Sequence, residues 1–420
     1  MGSTATFSGK SPDVSSAGGN LTLWVARSVA EVEKLRETWE HWQDHPDSVI
    51  ETYLTWFKED PASRPHVLVV YRDGYADCLL IGKQLRKAVI SRVARLLHSD
   101  ARILYFIQGG LLGNASTENC EFLLRAVLAE LRAGEAGAAE FFGLPVDSPL
   151  YRAAMRVPGF FCRDHFPART IHRYTVLPDS FQEFLGSLPA KERQNIKYRH
   201  NRLIKKFPGM IQLSRFCAED DVQALVAAAE EIAKKTYQRA FGRGFTLVEA
   251  PGLRADAHAG SLRGYVLYIG ENPCAFLIAR WHRGILYGTF AGHDPKYAEY
   301  SLGRYLLMCC IEDCFLRNRG ERPLIIDPGV GDQPYKRLFT NSERQDAHLA
   351  VYPPTPTGFL RSVARMISCV GVYCAKGLLR KSKLLPLIRK IRRDQALRKA
   401  RQNQAAHREK PEGHSHKQPA

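Results

Sequence analysis

One order of apolar segments occurs twice along the chain, and this repetition constrains the fold more than any other feature. The first occurrence predicts a strand at Leu21–Val25, helices at Val29–Trp42 and Thr52–Lys58, a hairpin at His66–Gly82, a strand at Ile103–Ile107, a helix at Cys120–Leu131 and a strand at Ala138–Phe142. The second occurrence begins with a strand at His172–Leu177, a helical stretch at Ser180–Phe207 with a break at Pro189, a strand at Met210–Phe216 and a long helix at Asp220–Arg239. It continues with a three-strand meander at Arg263–Ala291, a helix at Leu302–Arg317, a strand at Leu324–Asp327, a short helix at Pro334–Phe339 and a last strand at Ala347–Tyr352. Strands and helices interleaved in this way are typical of α/β domains with a mixed sheet. We therefore predict a duplicated α/β fold, although no repeat of the amino-acid sequence accompanies the repeated order of elements.

The composition suggests four regions along the 420 residues. Residues 1–20 are rich in Ser, Gly and Ala without an apolar core, and we expect a disordered leader. The two predicted halves are 21–165 and 166–352. Pro353-Pro354-Thr355-Pro356 ends the second half, and 353–420 is predicted to be a basic tail that is helical at first and disordered at its end.

The positive charge of the chain is concentrated in this tail. The net charge is +17, and residues 361–420 contain 16 Lys and Arg against 3 Asp and Glu. The rest of the chain is nearly neutral, which argues against nucleic acid as a ligand of the folded part. From Phe359 to Leu379 apolar residues recur at helical spacing between basic ones, a pattern typical of a helix that lies on an anionic membrane surface. A helix packed on the body and followed by a solvated polycation is the alternative.

The cysteines and the hydropathy restrict the class of protein further. None of the ten cysteines forms a C-x-x-C pair or a zinc-like cluster, so the sequence predicts neither a metal site nor a permanently bound cofactor. We expect free thiols, buried in the case of Cys309, Cys310 and Cys314, in a reducing cytosol. No apolar stretch is long enough to span a bilayer, so we expect a cytoplasmic protein that can associate with the inner face of the plasma membrane.

The segment Gly284–Phe339 carries the strongest functional signal. Its strand runs into Gly292-His293-Asp294-Pro295, and a short connection then leads through Ser301 and Gly303 into an apolar helix. The first backbone N–H groups of a helix are unpaired and its N-terminus is positive, so this turn is a candidate anion site. Ser301 is a candidate N-cap, and Gly303 allows a pyrophosphate to approach closely. The plain alternative is a helix cap and a turn without a ligand.

A second polar motif follows the next buried strand. It reads Asp327-Pro328-Gly329-Val330-Gly331-Asp332, and Tyr335-Lys336 then opens a short helix. Polar residues directly after an apolar strand favour a functional site, because sites cluster on loops at strand ends. A strand-to-helix turn with an Asp cap is the structural alternative.

Together these motifs resemble one family within the GNAT acyltransferase superfamily. The residues that carry the resemblance are Tyr300-Ser301-Leu302-Gly303, Leu306-Leu307, the Asp327–Asp332 motif with Tyr335-Lys336, and Asn272-Pro273-Cys274-Ala275 with His293–Tyr297 in the meander. The family is the acetyltransferase-like one associated with bacterial cellulose and exopolysaccharide biosynthesis. The resemblance spans Leu21–Tyr352 and is strongest in the second half. Leu302 stands where the family has Pro, and only Gly303 remains of the superfamily's phosphate-binding loop.

The resemblance implies two tandem GNAT-like acyltransferase halves, as in Fem-type peptidyltransferases, with an acyl-CoA pocket in the second half. Acetyl-CoA would be a cosubstrate whose pyrophosphate lies on the turn Tyr300–Arg304. The residues expected to bind it are Ala291, Gly292, Tyr300, Ser301, Leu302, Gly303 and Arg304. Acyl transfer needs a base for the nucleophile, donors to the oxyanion and an acid for the leaving thiolate.

The candidate residues for these roles follow from their positions. His293 or Asp294 is the candidate base, the backbone N–H group of Ala291 or Gly292 is the candidate oxyanion donor, and Tyr335 is the candidate acid. His293-Asp294-Pro295 as a simple turn and Tyr335 as a core residue are the alternatives.

A basic helix and the second motif supply the candidate substrate residues. The helix carries eight basic residues between Lys191 and Lys206, and its face is either solvated or the wall of a cleft for an anion. The residues expected to bind substrate are Lys197, Arg199, Asp327, Gly329, Gly331, Asp332 and Lys336.

The sequence therefore predicts a GNAT-type N- or O-acyltransferase. It would move an acyl group, expected to be acetyl, from acyl-CoA to an amine or hydroxyl acceptor such as a saccharide in envelope or exopolysaccharide biosynthesis. One alternative is a Fem-like transferase that uses aminoacyl-tRNA. Another is a non-catalytic accessory protein that docks on the membrane through its basic tail.

Overall fold

A computed structural model describes residues 20–87, 101–236, 239, 244–316, 323–331 and 334–381. The predicted leader and most of the basic tail lie outside these residues. Contacts divide the chain into two compact units. The first unit contains the residues up to Tyr174 together with Gly329–Tyr373, and the second contains Thr175–Pro328 and the residues from Cys374.

The strands and helices follow the repeated order that the sequence predicts. The elements up to and including β6 are β1 Leu21–Ala26, α1 Val29–Glu33, α2 Arg36–Trp42, α3 Ile50–Glu59, β2 Arg64–Arg72, β3 Tyr75–Lys87, β4 Ala101–Gly113, α4 Thr117–Arg132, β5 Ala138–Pro145, α5 Pro149–Arg156 and β6 Ala168–Val176. After it come α6 Phe181–Ser187, α7 Ala190–Lys206, β7 Ile211–Phe216, α8 Val222–Lys235, α9 Ala250–His258, β8 Leu262–Ile269, β9 Asn272–His282, β10 Ile285–His293, α10 Leu302–Leu316, β11 Ile325–Asp327, α11 Pro334–Phe339, β12 Ser342–Val351 and α12 Pro356–Lys381.

The two sheets have the same internal topology. In the first unit β1, β2, β3 and β4 pair antiparallel in that order and β4 pairs parallel with β5. In the second unit β7, β8, β9 and β10 pair antiparallel in order and β10 pairs parallel with β11. The predicted mixed α/β fold and its duplicated element order are confirmed.

The last strand of the chain lies in the first unit. β12 pairs antiparallel with β5 and with β6 there, while Thr175 and Val176 at the end of β6 pair with β11 in the second unit. The division by contacts thus differs from the sequence-based boundary at residue 352, because Gly329–Val351 packs with the first unit.

Alternating side chains of β2 build two cores on opposite faces of the first sheet. Leu68 and Val70 belong to the core that α4 and α5 cover, whereas Val67 and Val69 pack with Trp39 on α2 and with α3. In the second unit the apolar faces of α8 and α9 pack on β8 and β9. Each sheet is therefore covered by amphipathic helices, of which the hydrophobic periodicity identifies α4 and α8.

Several boundaries differ from the prediction. The Val29–Trp42 helix divides into α1 and α2, and α5 and α9 were not predicted. Pro189 separates α6 from α7, as predicted, since a proline before the first helical residue cannot continue the preceding helix. The cysteines are free thiols, and Cys310 and Cys314 are buried while Cys309 is half-buried.

The helices and the potential metal ligands of the described residues bear on function. None of their helices is both long and apolar enough to cross a membrane. Over the same ranges, no group of three or more His, Cys, Asp and Glu side chains is arranged to hold a metal ion.

Candidate acyl-donor site in the second unit

The edge of β10 opens toward its C-terminal end. β10 pairs with β11 only at Ile285, Leu286 and Tyr287, whereas its pairing with β9 continues to His293. A bulge at Gly288–Phe290 separates the two regions. Among the described strands, none pairs with β10 beyond Tyr287 on the β11 side. The predicted residues Ala291 and Gly292 lie in this part of β10.

Asp294 holds the turn that follows β10. It is buried, its carboxylate accepts from the backbone N–H of Lys296 at 2.9 Å, and it forms an ion pair with Nζ of Lys235 at 3.2 Å. It therefore caps the short 3₁₀ helix Pro295–Tyr300, and its N–H donates to the carbonyl of Cys274 at 2.8 Å. These contacts give Asp294 a structural role as the cap of the turn that follows β10.

His293 differs from its neighbour because its imidazole is exposed at the end of β10. Desolvation by the surrounding protein lowers the pKa of His293, and the carboxylate of Asp294 opposes this shift. A Cβ at Gly303 would lie 3.5 Å from Nδ1 of His293, so the imidazole adjoins the first turn of α10. A histidine with a lowered pKa is neutral at physiological pH and can accept a proton.

Ser301 lies directly before α10, where the sequence places the helix start. Its backbone is left-handed, with φ 54° and ψ 47°, and its carbonyl accepts from the N–H groups of Arg304 at 2.9 Å and Tyr305 at 3.2 Å. An ordinary N-cap residue is extended, so Ser301 departs from the predicted cap geometry. Left-handed backbone in a residue with a Cβ costs about 1–3 kcal/mol and is concentrated at functional sites. The next residue, Leu302, is fully buried and anchors the helix.

Arginine side chains surround this turn. The guanidinium of Arg199 on α7 donates to the hydroxyl of Ser301, and Arg202 pairs with Glu299 and lies 5.3 Å from the centre of the Tyr300 ring. Arg304 donates to Oε1 of Glu192 at 2.8 Å. Tyr300 is buried, whereas the predicted substrate residue Lys197 is exposed.

These contacts place the basic helix beside the predicted pyrophosphate turn. Guanidinium groups next to a helix N-terminus are a strong combination for binding phosphate, because both the charge and the N–H donors are directed at the anion. Glu192 was missed by the sequence analysis, since one carboxylate in a strongly basic helix carries no signal of its own.

The second predicted motif is divided between the two units. In the second unit, Asp327 is buried at the end of β11 and pairs with Tyr287. In the first unit, Gly329 and Gly331 have φ values of 78° and 114°, which favour glycine. Asp332 and the side chain of Tyr335 lie outside the residues that the structure describes.

Lys336 shapes the loop of this motif within the first unit. It is buried, and its ammonium donates to the carbonyls of Gly329 at 2.7 Å and Val330 at 3.0 Å. A buried ammonium that binds backbone carbonyls holds the loop conformation. This arrangement differs from the predicted contact with a phosphate or an acidic substrate.

The corresponding turn of the first unit is occupied by a carboxylate. Asp77 accepts from Nδ2 of Asn119 at 2.8 Å and pairs with Nε of Arg72 at 3.0 Å beside the start of α4. Burial acts to raise the pKa of Asp77, but these hydrogen bonds and the Arg72 charge outweigh it and hold the pKa below its usual value. An ionised carboxylate at this helix start disfavours a second anion. In the second unit the carboxylates beside the turn are paired with Arg304 and Arg202, and Arg199 donates to Ser301.

Part of the chain matches a known family profile, and its fold is similar to solved structures. Residues 190–337 match the family profile described as an acetyltransferase (GNAT) domain, and this segment is about a third of the chain. Among curated protein sequences, none matches significantly. The crystal structure of FemX superimposes with a TM-score of 0.51 at 10% sequence identity, over 73% of this chain and 93% of that chain.

Two further solved structures are similar at lower TM-scores. The tandem GNAT protein from the clavulanic acid biosynthesis pathway has a TM-score of 0.48 and 12% identity, over 80% of this chain and 100% of that chain. L-PGS from Bacillus licheniformis has a TM-score of 0.45 and 12% identity, over 80% and 96%. At these identities the likeness to FemX shows the fold, and the profile match identifies the segment 190–337 as a GNAT acetyltransferase domain.

Proposed function

We propose that this protein is an acyltransferase that moves an acyl group from acyl-CoA to an amine or hydroxyl acceptor. The observation that carries the proposal is the open edge of β10 next to the turn Tyr300–Arg304, where Arg199 reaches Ser301. The pyrophosphate of the donor would bind this turn and the N-terminus of α10. The thioester would then lie along the edge of β10, in line with the GNAT match of this segment.

The proposed reaction is a direct transfer. The acceptor nitrogen or oxygen attacks the thioester carbonyl carbon, and the neutral imidazole of His293 takes the proton that the nucleophile loses, directly or through water. The backbone N–H group of Ala291 or of Gly292 would stabilise the oxyanion. The C–S bond then breaks, and the thiolate of CoA takes a proton, for which we propose Tyr335. A Tyr335→Phe variant should lose turnover while its affinity for acyl-CoA is retained.

The acceptor class rests on the family resemblance of the sequence motifs. A saccharide hydroxyl or amine in envelope or exopolysaccharide biosynthesis is the acceptor that this resemblance favours. Acetyl is the expected acyl group. Asp327 is the last residue of β11, and we propose that its carboxylate contributes to the acceptor side.

A second candidate donor is aminoacyl-tRNA. The observation in its favour is the exposed basic face of α7, where Lys197, Lys205 and Lys206 are open to solvent. This donor requires binding of tRNA that weakens steeply with salt, because phosphate contacts release counterions. Salt-sensitive binding of tRNA without binding of CoA would favour it over the acyl-CoA proposal.

The charge of the tail supports a location at an anionic membrane surface. Residues 361–420 contain 16 Lys and Arg against 3 Asp and Glu, and each basic residue near an anionic leaflet contributes about 1 kcal/mol to binding. A purely accessory protein would use this tail without acyl-CoA binding, so a donor-binding measurement separates the two possibilities.

The test compares two substitutions at Gly303 by thermal shift and calorimetry with acetyl-CoA. A ligand that binds the native state raises the unfolding temperature by mass action. A Cβ at Gly303 meets only ordinary contacts, so Gly303→Ala should retain binding. Gly303→Glu should lose it, since it places a carboxylate at the phosphate turn. Unchanged affinity in a folded Gly303→Glu variant would rule out this placement, and no binding by the wild type would rule out the donor.

A further inference from the structure

Helix α12 packs on the first unit through its polar side. Arg361 donates to the carbonyl of Gly137 at 3.0 Å, and Nη2 of Arg365 lies 2.8 Å from Oδ2 of Asp164. Ser362, between them, is buried, and so is the Asp164 carboxylate. Surface helices of globular proteins normally face the core with their apolar side, so this orientation is reversed.

The apolar side of α12 is consequently exposed. Leu360, Ile367 and Val370 have exposed fractions of 52%, 65% and 43%. Spacings of seven and ten residues bring these side chains to one face of a helix. This apolar stripe points away from the arginines that hold α12 on the first unit.

Exposed aromatic rings extend the stripe at the start of α12. Phe160 and Phe161 lie in the short turn after α5, with ring centres 5.2 Å apart, and both are exposed. The ring of Phe161 lies 5.6 Å from that of Phe359, in the first turn of α12. A shallow cavity of about 500 Å³ adjoins these rings and is lined on its other side by α4. Isolated apolar residues are common on protein surfaces, but a contiguous patch of this kind marks an interaction site.

Positive charge surrounds this patch. Arg125 and Arg132 of α4 line the cavity and are exposed, and the guanidinium of Arg163 lies 5.7 Å from the centre of the Phe160 ring. Glu121 pairs with Arg125 and also with Arg156 of α5, so one carboxylate offsets part of this charge. The strongly basic remainder of the chain continues directly from α12.

We infer that this patch is a membrane-docking surface of the first unit. The docking surface consists of Phe160, Phe161, Phe359, Leu360, Ile367 and Val370. Its occupant is the interface of an anionic phospholipid bilayer, in which apolar side chains enter the headgroup boundary and arginines meet the phosphates. A second copy of the chain is disfavoured as the occupant, because a symmetric contact would bring two arginine-rich rims together. The inference rests on the membrane location proposed above and is independent of acyl transfer.

The docking surface makes a prediction that a charged tail alone does not make. Electrostatic attraction of a tail is sequence-independent and sensitive to salt, whereas apolar insertion depends on these particular side chains. Full-length protein is tested by co-sedimentation with vesicles of phosphatidylcholine, with and without phosphatidylglycerol. The variants are Ile367→Ser with Val370→Ser, and Phe160→Ser with Phe161→Ser. The matched control is Tyr75→Ser, an aromatic residue that is 81% exposed at the start of β3 in the same unit.

Each double variant should lower the partition into anionic vesicles by about tenfold or more, since it removes apolar groups that would enter the bilayer. The control should bind as the wild type does. Thermal unfolding should be unchanged in all three, because the substituted side chains are exposed. Acetyl-CoA affinity should also be unchanged in all three variants. The vesicle-binding result is therefore independent of whether the acyltransferase proposal holds.

Several outcomes would overturn the docking surface. Wild-type binding by both double variants would leave the charged tail as the only membrane contact. Equal binding of the wild type to neutral vesicles would remove the role of the arginines. A wild-type dimer that becomes monomeric in the double variants would assign the surface to a second copy. Absence of any vesicle binding would overturn the membrane location as well.

Discussion

The guanidinium of Arg304 donates to Oε1 of Glu192 at 2.8 Å, and this pair joins the first turn of α10 to the first turn of α7. Glu192 is buried, so the ion pair holds Arg304 in a defined position. Farther along α7, Arg199 reaches Ser301 in the same turn. Two side-chain contacts therefore connect the basic helix to the candidate phosphate turn.

The first prediction compares two basic residues of α7. Arg199→Ala should weaken CoA binding by roughly tenfold to a hundredfold, because a charge-assisted contact with phosphate contributes about 1.5–3 kcal/mol. Lys197→Ala removes the same charge from the same helix at an exposed position and should change affinity less than about threefold. Calorimetric titration with CoA measures both. Equal losses in the two variants would show that only the overall charge of α7 matters.

The second prediction concerns the left-handed backbone of Ser301. Both Ser301→Gly and Ser301→Ala lose the hydroxyl that accepts from Arg199, but only glycine also removes the cost of the φ of 54°. The glycine variant should therefore be more stable than the alanine variant by about 1 kcal/mol. Denaturant unfolding of the two proteins provides the comparison. A more stable alanine variant would mean that the turn changes conformation when the serine is replaced.

The third prediction concerns the base. His293→Gln should lower the rate of CoA release from acetyl-CoA by about a hundredfold or more, since a general base contributes 10²–10⁴-fold. The protonated imidazole cannot accept a proton, so the wild-type rate should fall as the pH drops below the pKa of His293. Desolvation lowers this pKa below its usual 6.5, and the acidic limb should therefore lie below pH 6.5.

A substitution at Asp294 tests the cause of this pKa shift. The Asp294 carboxylate raises the pKa of His293, so Asp294→Asn should move the acidic limb to lower pH, while asparagine can still cap the following turn. A pH profile that does not move in Asp294→Asn, or one that persists in His293→Gln, would assign the limb to another group.

The fourth prediction separates two roles of Lys336. The buried ammonium of Lys336 donates to the carbonyls of Gly329 and Val330, so Lys336→Met should lower the free energy of unfolding by about 2 kcal/mol. The exposed Lys206→Met is the matched control and should be within about 0.5 kcal/mol of the wild type. Unchanged stability together with weaker binding of CoA would instead return Lys336 to the phosphate-binding role that the sequence suggests.

Much of the fold was readable from local patterns. The hairpin at Asp73-Gly74 was predicted from its residues, and both have the positive φ that such turns require. The helix break at Pro189 and the helix start after Ser301 were predicted in the same way. The α5 helix was missed because its eight residues give too short a periodic pattern, and α9 because Pro251 and Gly252 lie in its first turn.

The candidate site was predictable only in part. The turn Tyr300–Arg304 and the basic helix were both identified, because a glycine next to a helix start and a run of basic residues are local signals. That Arg199, and not Lys197, reaches Ser301 depends on how α7 packs on α10. The ion pair of Asp294 with Lys235 joins residues 59 positions apart, and no local pattern distinguishes such a capping carboxylate from a catalytic one.

By itself the sequence determined the order of strands and helices, the duplication and the position of the turn before α10, because hydrophobic periodicity and turn residues act over a few positions. Only the tertiary structure decided where distant segments meet. It placed β12 in the sheet of the first unit, directed the ammonium of Lys336 onto backbone carbonyls, and turned the arginines of α12 inward and its apolar stripe outward. The physical reason is that a periodic pattern defines the two faces of an element, whereas its partner is selected by packing and by pairing of buried charges such as Asp164 with Arg365.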